Sequence, residues 1–414
     1  MSAPAQIPVE SPNADVVDYK SVALLSAAHL SDDINQGVLP AMLPFFIAAN
    51  HLTYAAAAGL VLAQTIASSV VQPLFGLLAD RRSVPWLIPL GLTFAGIGIA
   101  LSGFAPSYTL IFGAIALSGL GISAFHPEAA RRVRFLSGSR QATTMSLFTV
   151  GGMAGFAIGP LVITPTLIAF GTHGAIILAL PVLVMSLLVT YNLPRLVAAG
   201  AHRNPAAAGH VLVEGPELWA DFIRLTIVVV MRSTLFFGLN TFLPLYWTRV
   251  LHGSKAGGGY ALTALATAVA IGTLIGGRMA DRYGRRIVIV ASLGVVVPFL
   301  LMFLASTTIM MAGLFLVPIG LAISASNSVV VVMGQDYLPN RVGLAAGVTL
   351  GLSMTIGGLL MPLFGSIADH YGLSKAMLLL VLLPIFGFAL ATTLHETAVE
   401  IKRAKPDLAQ PAAR

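Results

Sequence analysis

The sequence has no cysteine and very little charge. The missing cysteines exclude disulfide bonds and thiolate metal sites in this chain of 414 residues, and they leave its redox compartment unreadable. Only 9% of the residues are charged, whereas a soluble domain carries roughly 25%. A water-exposed surface cannot be built from so few charges, so the composition excludes an ordinary soluble protein.

Long apolar runs take up most of the chain. Hydrophobic residues make up 57% of it, and the runs are long enough to cross a hydrocarbon core, which takes about 20 helical residues. The composition therefore predicts an all-α membrane protein with about twelve transmembrane helices. The predicted runs lie near 21–48, 54–79, 85–104, 108–130, 141–169, 174–193, 222–248, 257–280, 287–305, 309–334, 342–368 and 374–395.

Polar segments divide the chain into five parts. We predict an N-terminal tail at 1–19, a six-helix bundle at 20–194, a central loop at 195–221, a second six-helix bundle at 222–395 and a C-terminal tail at 396–414. The first tail lacks the apolar core of a cleavable signal peptide. Lys and Arg lie mainly on the side of the two tails, which predicts that both termini are cytoplasmic. Topology thus accounts for the net charge of +7, and we expect no binding to nucleic acid.

The two halves of the sequence repeat one another. "GLGISAFH" (119–126) and "GLAISASN" (320–327) agree at five of eight positions, at an offset of 201. "GLLADRRS" (76–83) faces "GRMADRYG" (277–284) at the same offset. Secondary transporters built from repeats place their substrate and ion sites near the midplane, between the repeats. The repeat therefore favours a transporter over a twelve-helix scaffold without transport.

A gate motif lies between the second and third helices of the second half. "GRMADRYGRRI" (277–287) follows the pattern G-x-x-x-D-R-x-G-R-R, and in this it resembles the major facilitator superfamily. Gly277 is expected to allow close approach of a neighbouring backbone. Asp281 is expected to latch the inner face by accepting from an arginine or a helix N-terminus. The predicted gating residues here are Gly277, Asp281, Arg282, Gly284, Arg285 and Arg286.

The copy of this motif in the first half is incomplete. Gly76, Asp80 and Arg81 match the pattern, whereas Ser83 and Val84 stand where it has glycine and arginine. Both copies are predicted to act in gating. Which half carries the main latch stays open.

A second pattern of small residues lies in the fifth helix. "GGMAGFAIGP" contains G-x-x-x-G-P through Gly155, Gly159 and Pro160, and it resembles an element of drug/proton antiporters. Tight helix packing is an equally good explanation, because small residues at this spacing let helices approach closely. Another antiporter element, R-x-x-Q-G-x-G in the fourth helix, has Ile115 and Ser118 at its Arg and Gln positions. A mechanism that needs that arginine is not carried over.

Three further segments narrow the resemblance. They are "HLSDDINQGVLPAMLP" (29–44), "QPLFGLLAD" (72–80) and "FHPEAAR" (125–131). With the fifth-helix pattern they are similar to the fosmidomycin-resistance-protein branch of the major facilitator superfamily, over about 25–395. The resemblance implies two pseudo-symmetric six-helix bundles in a bacterial inner membrane. It also implies export of a small-molecule substrate across the lipid bilayer, driven by protons. We expect the exporter to be a monomer.

Ionisable residues interrupt the first apolar run. Asp32 lies about 18 Å along the predicted helix, near mid-bilayer, where charged side chains are costly and usually functional. His29, Asp32 and Gln36 share one helix face, with Asp33 beside it. Two adjacent carboxylates in a low dielectric resist being ionised together, so one of them can carry an exchangeable proton.

The fourth helix supplies two more candidates for proton transfer. His126 could pass a proton between the aspartates and the cytosol. Glu128 either belongs to the same path or pairs with Arg131 and Arg132 at i+3 and i+4, and the pairing is favoured. The predicted proton-coupling residues are Asp32, Asp33, His29, Glu128 and His126.

The repeat also supplies candidates for substrate binding. At an offset of 200, Arg232 corresponds to Asp32, so it is expected to neutralise the acidic pair or to anchor an anionic substrate. A permanent ion pair between the halves is the alternative. Asn327, the repeat mate of His126, is a polar cavity candidate that cannot titrate. The predicted substrate-binding residues are Arg232, Gln36, Asn327 and Asn240.

No nucleotide-binding motif or catalytic Ser-His-Asp set occurs in the sequence, and His202 and His210 of the central loop lack metal-ligand spacing. We therefore expect no enzymatic activity, no cofactor and no metal site, and we expect gradients to supply the energy. The predicted function is alternating-access export of a small organic compound, such as a fosmidomycin-like antibiotic, in exchange for protons. A proton-coupled importer of a small organic anion and a non-transporting sensor or scaffold remain as alternatives.

Overall fold

The computed structural model describes residues 17–82, 84–137, 140–201, 216–341, 344–345 and 347–396. Within these ranges the chain is helical and contains no strand. Most of the two predicted tails and of the central loop lies outside the described residues.

The described part of the first half contains seven α-helices, which form six apolar spans. A π-helical turn at Ile66–Val70 joins the second helix to the third within one span. A 3-10 helix at Gly171–Leu178 leads into the last helix of this half. The helices are α1 Tyr19–Asn50, α2 Tyr54–Thr65, α3 Gln72–Arg81, α4 Leu87–Ser102, α5 Tyr108–Leu136, α6 Gln141–Phe170 and α7 Ala179–Ala201.

The second half repeats this order with more interruptions. A second π-helical turn, at Gly347–Leu352, precedes α13. The helices are α8 Trp219–Arg249, α9 Lys255–Tyr283, α10 Arg285–Leu304, α11 Ile309–Ala325, α12 Asn327–Tyr337, α13 Ser353–Leu359, α14 Met361–Tyr371, α15 Leu373–Leu380 and α16 Leu382–Ala391.

The described helices match the predicted order of six apolar runs on each side of the central loop. Among the described residues, eight helical stretches are long and apolar enough to cross a membrane, and one of them, Thr143–Ala198, includes both α6 and α7. The apolar α4 is shorter. Helix α1 is long, but its acidic and amide side chains lower its hydropathy. The predicted class, an all-α membrane protein, is confirmed.

The start of α1 and the end of α7 lie on one side of the protein, which we call the terminal side; the opposite side is the far side. Asp18 caps α1 by accepting from Ser21 N at 3.2 Å, and it binds Arg195 Nη2 at 2.7 Å. Partial burial disfavours the charged carboxylate, but the hydrogen bonds from Ser21 and Arg195 outweigh it and hold the pKa of Asp18 below its usual value.

Glycines bring α6 directly onto α1. A Cβ at Gly155 would collide with the carbonyl oxygen of Leu30, and one at Gly159 would lie 2.9 Å from that of Ile34. Helix α6 continues through Pro160 to its end. The G-x-x-x-G-P pattern therefore has a packing role, and the helix that it positions is the one next to the aspartate pair.

The gate motif of the second half is only partly as expected. The predicted close approach at Gly277 is wrong, because a Cβ there would lie at an ordinary 3.6 Å from Ser328 Oγ. The close contact belongs to the preceding Gly276, where a Cβ would collide with the backbone of Ala325. Gly284 joins α9 to α10 at a φ of 95°, a conformation that glycine adopts readily and other residues rarely.

The motif arginines connect elements within the second half. Arg285 pairs with Asp336 on α12, and Arg286 donates to the carbonyl oxygen of Thr392 just after α16. Asp281 and Arg282 are exposed, so the latch role of Asp281 stays a prediction. In the first-half copy a Cβ at Gly76 would meet no atom within 4 Å. The side chains of Asp80 and Arg81 lie outside the described part of the chain.

The two halves contact each other at the far side. Asp369, near the end of α14, accepts from the backbone N–H of Tyr54 at 2.7 Å and of Ala55 at 2.9 Å. These are the first two residues of α2, where a carboxylate is favoured by the helix dipole. Lys255 Nζ lies 4.4 Å from the centre of the Phe45 ring, also across the halves. These contacts join the two bundles at the far side.

Candidate functional site

A cavity of about 270 Å³ lies between the two halves. Its walls come from α1, α2 and α6 of the first half and from α8, α9 and α12 of the second. The structure therefore brings side chains from both halves to one central space. The predicted site residues that line it are His29, Asp33, Gln36, Asn240 and Asn327.

His29 and Asp33 lie about one turn apart on α1 and face this cavity. His29 Nε2 is 3.3 Å from Asp33 Oδ2. The imidazole stacks on the Phe148 ring at 4.1 Å between centroids, and its Nδ1 lies 2.8 Å from the carbonyl oxygen of Phe148. Because a carbonyl can only accept, Nδ1 carries a hydrogen and Nε2 is directed towards Asp33.

His126 of α5 completes a three-residue group, which we call the His–Asp cluster (His29, Asp33 and His126). Its Nε2 lies 3.4 Å from Asp33 Oδ1 and 3.1 Å from His29 Nε2. Its Nδ1 lies 2.9 Å from the carbonyl oxygen of Ile122 and therefore also donates. A hydrogen bond between the two Nε2 atoms then requires one further proton. That proton would lie beside the carboxylate of Asp33, which can balance a positive charge there.

Asp32 is not on the cavity wall. It is fully buried, and its Oδ2 lies 3.5 Å from His126 Nδ1. Within the described residues, no hydrogen-bond donor reaches either of its carboxylate oxygens. The predicted stripe of His29, Asp32 and Gln36 is therefore wrong in one member, because Asp33 takes the cavity position and Asp32 turns towards α5. A buried carboxylate without a donor is costly to ionise.

Arg232 does not neutralise Asp32 in this conformation. Its guanidinium donates to Asn327 Oδ1 and to the carbonyl oxygen of Ile323, the latter at 3.4 Å. Its Nε has no hydrogen-bond partner within the described part of the chain. Asn327 also donates to Thr273 Oγ1 at 3.1 Å. The predicted ion pair is wrong here because Arg232 lies behind Asn327, and it is Asn327 that lines the cavity.

Glu128 is held in a buried ion pair. Its carboxylate lies 2.7 Å from Arg132 Nε and 3.4 Å from Arg131 Nη1. The side chains of Glu128 and Arg132 are 0% and 3% exposed. This geometry supports the structural alternative for Glu128 rather than a place in a proton path.

The apolar wall of the cavity could not be predicted from the sequence. Phe156 of α6 and Phe236 of α8 meet across the two halves with ring centroids 6.3 Å apart, and Phe237 packs at 5.8 Å against Phe236. In sequence these residues look like any lipid-facing phenylalanine. Gln64, which lines the cavity and donates to the carbonyl oxygen of Asn35 at 3.1 Å, could have been found as a polar residue inside an apolar run.

Sequence comparisons agree with this architecture. The profile of the Major Facilitator Superfamily matches residues 25–360. The fosmidomycin resistance protein of Escherichia coli K12 is 29% identical over 366 residues, which cover 88% of this chain and 90% of that protein. The uncharacterised MFS-type transporter YfnC of Bacillus subtilis 168 is 29% identical over 387 residues, covering 92% and 93%.

Solved structures of other transporters share the fold. A bacterial homologue of the human lysosomal transporter Spinster, in an inward-facing and occupied conformation, superposes with a TM-score of 0.75 at 16% identity, covering 91% of this chain and 97% of that one. A variant of the nucleoside transporter NupG gives a TM-score of 0.76 at 14% identity, covering 91% and 100%.

Proposed function

Because the chain belongs to the Major Facilitator Superfamily, we propose that this membrane-embedded secondary transporter exports a small organic compound in exchange for protons. The observation that carries the proposal is the His–Asp cluster on the cavity wall, where a proton can be held within reach of a bound compound. The resistance function in the name of the Escherichia coli relative supports an antibiotic or similar drug as the compound.

The hydrogen-bond geometry of the cluster gives protonation a mechanical consequence. With the shared proton present, the two Nε2 atoms attract one another across 3.1 Å and balance the charge of Asp33. Without it, two lone pairs face each other and the carboxylate loses its partner. Loss of the proton therefore favours a conformation in which α1 and α5 are rearranged, and this links proton release to the access change.

The cavity suits a small compound with both polar and apolar parts. The amides of Gln36, Asn240 and Asn327 offer donors and acceptors, and Phe156 and Phe236 offer an aromatic surface. Such a mixture of apolar lining and a few polar groups is usual for small-molecule sites. The predicted substrate contacts at Gln36, Asn240 and Asn327 are kept in the proposal, and Arg232 acts through Asn327.

The proposal also covers the membrane in which the protein lies and its oligomeric state. We infer a monomer in the inner membrane of a bacterial cell, with both termini in the cytoplasm. The supporting observation is that arginines are concentrated at the terminal side, as the positive-inside rule requires. Examples are Arg140, Arg195, Arg285, Arg286 and Arg341, all at helix ends on that side.

Flux measurements in proteoliposomes test proton coupling. A survival assay in an efflux-deficient host first selects an exported compound from a panel, and its uptake is then followed under an imposed pH gradient. Asp33→Asn should still exchange the compound between compartments but should not concentrate it, because the cluster loses the charge that balances the shared proton.

Asp221→Asn is the matched control, since Asp221 binds His395 and Arg224 at the terminal side and should keep gradient-driven uptake. Wild-type accumulation in the Asp33→Asn and Asp32→Asn double variant would overturn proton coupling through these residues. Comparison of everted and right-side-out vesicles separates export from import of an organic anion.

A further inference from the structure

We propose that the His–Asp cluster is also a binding site for a divalent transition-metal ion of the zinc type. The ligands would be His29 Nε2, His126 Nε2 and the carboxylate of Asp33. This inference goes beyond the proposed function, because it concerns a second kind of ligand. The ion would replace the proton between the two Nε2 atoms, and its binding can be measured without a transport assay.

The spacing of the candidate ligand atoms fits a metal ion. A tetrahedral zinc ion has its nitrogen and oxygen ligands at about 2.0–2.2 Å, so those ligands lie about 3.3–3.6 Å from one another. The two imidazole Nε2 atoms are 3.1 Å apart, and Asp33 turns one oxygen to each of them, at 3.3 Å and 3.4 Å. The three residues thus already surround a space of the size of such an ion.

In both histidines the Nδ1 atom makes the hydrogen bond that is usual for a metal-bound histidine. A metal-bound histidine usually donates its other ring N–H to a carbonyl or carboxylate, which fixes the ring orientation. His29 Nδ1 donates to the Phe148 carbonyl at 2.8 Å, and His126 Nδ1 donates to the Ile122 carbonyl at 2.9 Å. Both Nε2 atoms are therefore preset to point at the shared space, and little reorganisation is needed for binding.

The backbone of α6 leaves this space empty. Gly152 faces the cluster, and a Cβ added there would lie 2.5 Å from Asp33 Oδ2 and from His29 Nε2. Any larger residue at 152 would push these ligands away from their present positions. Because His29 and Asp33 also line the cavity, an ion held by them stays accessible from it, with a coordination position available for water or a compound.

Asp32 adds a second carboxyl group behind the cluster, and a dication at the cluster would stabilise its ionised form. It is 0% exposed, and no donor among the described residues binds its oxygens. Because a double positive charge stabilises a nearby carboxylate more than a single one does, this arrangement favours a dication over a monovalent cation. The combination of two imidazoles and a carboxylate is typical of zinc, cobalt and iron sites rather than of calcium or magnesium sites, which are built from oxygen ligands.

Metal binding to the purified protein tests this site directly. The full chain, prepared without a histidine tag and treated with a chelator, is titrated with Co²⁺ and followed by visible absorption. Zn²⁺ is then measured by calorimetry and by displacement of Co²⁺. We expect one ion per chain and the intense absorption of a four-coordinate Co²⁺ site.

Three variants define the ligands. Asp33→Asn and His126→Gln should abolish the intense absorption. Gly152→Ala keeps all three ligands but displaces them, and it should lower Zn²⁺ affinity on the order of 100-fold, near the upper end of what disturbed ligand positioning usually costs. His173→Ala, in an exposed far-side segment, is the control and should bind like the wild type.

The outcome distinguishes this proposal from the transport proposal. Equal, weak Co²⁺ binding in the wild type and in all variants would mean adventitious binding and would overturn the metal site, even if proton-coupled export is observed. A metal site that is weakened in Gly152→Ala and lost in Asp33→Asn would stand even if no exported compound is found. Gel filtration of each variant in detergent confirms that lost binding is not lost folding.

Discussion

At the scale of single residues, neighbouring side chains on α1 have different surroundings. Consecutive residues of an α-helix point about 100° apart, because 3.6 residues make one turn. Asp33 therefore reaches the cavity, while Asp32 turns into the space between α1 and α5. The adjacent aspartates are chemically alike, but only Asp33 is placed to act on both a proton and a compound in the cavity.

Glu128 offers a contrasting prediction at this scale. Glu128→Gln removes the charge that balances the buried Arg132, and breaking a buried pair in this way costs roughly 3–5 kcal/mol. We expect a clear fall in the thermal unfolding midpoint in detergent, while transport per folded molecule stays close to that of the wild type. Unfolding curves and flux, both normalised to folded protein, measure the two effects.

The control for Glu128 is an exposed pair. Glu217 binds Arg341 at 3.1 Å, and the arginine side chain is 57% exposed. Such surface pairs contribute about 0–1 kcal/mol, so Glu217→Gln should leave the midpoint almost unchanged. A Glu128→Gln protein of normal stability that has lost proton-driven accumulation would return Glu128 to the proton path.

Residue types were easier to predict than residue partners. Polar residues in an apolar run are visible in the sequence, so His29, Asp33 and Gln36 could be predicted as site residues. Their partners come from other helices: His126 is 93 positions after Asp33 in the sequence, and no local spacing relates the two. The offset between the repeats relates Arg232 to Asp32 but cannot show that each turns to a neighbour in its own half.

At the scale of elements, the contact between α1 and α6 depends on missing side chains. Gly155→Ala places a Cβ against the backbone of Leu30 and should destabilise the protein by on the order of 1–3 kcal/mol, as overpacking does. Gly113→Ala, on α5, meets no atom within 4 Å. It should be neutral or stabilising by up to about 1 kcal/mol, because alanine favours helix more than glycine does.

We expect Gly155→Ala to lower the free energy of unfolding and Gly113→Ala to leave it unchanged or raise it. Thermal unfolding of the purified variants in one detergent measures both. If Gly155→Ala were as stable as Gly113→Ala, α1 and α6 would not be in the contact described, and the position of the His–Asp cluster relative to α6 would also be wrong.

Helix order followed from the apolar runs, but helix interruptions did not. The predicted run at 342–368 is divided in the structure by the π-helical turn at Gly347–Leu352 and by a new start at Met361, beside Pro362. Pro73 has a similar place at the start of α3. Proline is common in a first helical turn, where its missing N–H is not needed. Hydropathy does not register such breaks, because apolar residues continue through them.

At the scale of the whole molecule, the carboxylate of Asp369 joins the two halves at the far side. Asp369→Asn keeps an acceptor but removes the charge that binds the start of α2. The loss of a charge-assisted interaction of this kind is worth about 1–2 kcal/mol, so the population with an open far side should rise by roughly tenfold.

Thiol labelling can measure this shift, because the chain has no cysteine of its own. Val61→Cys introduces a single thiol in the cavity wall, and a membrane-impermeant reagent is applied from the far side. Labelling should be faster in the Asp369→Asn background.

Asp281→Asn, which removes the predicted latch on the terminal side, should slow labelling and lower transport without preventing insertion. Unchanged labelling in both backgrounds would mean that neither carboxylate controls access.

The two π-helical turns described above have a mechanical consequence. One lies at Ile66–Val70 and the other at Gly347–Leu352, and close to them Thr65 and Gly358 touch across the halves. Sharp helix kinks occur at such turns, where the regular hydrogen-bond ladder is interrupted. Each of these spans can therefore bend at its π-helical turn. The segment on the far side is held by Asp369, and the segment on the terminal side can move. Opening would then concentrate the bending at two short segments instead of distributing it along whole helices.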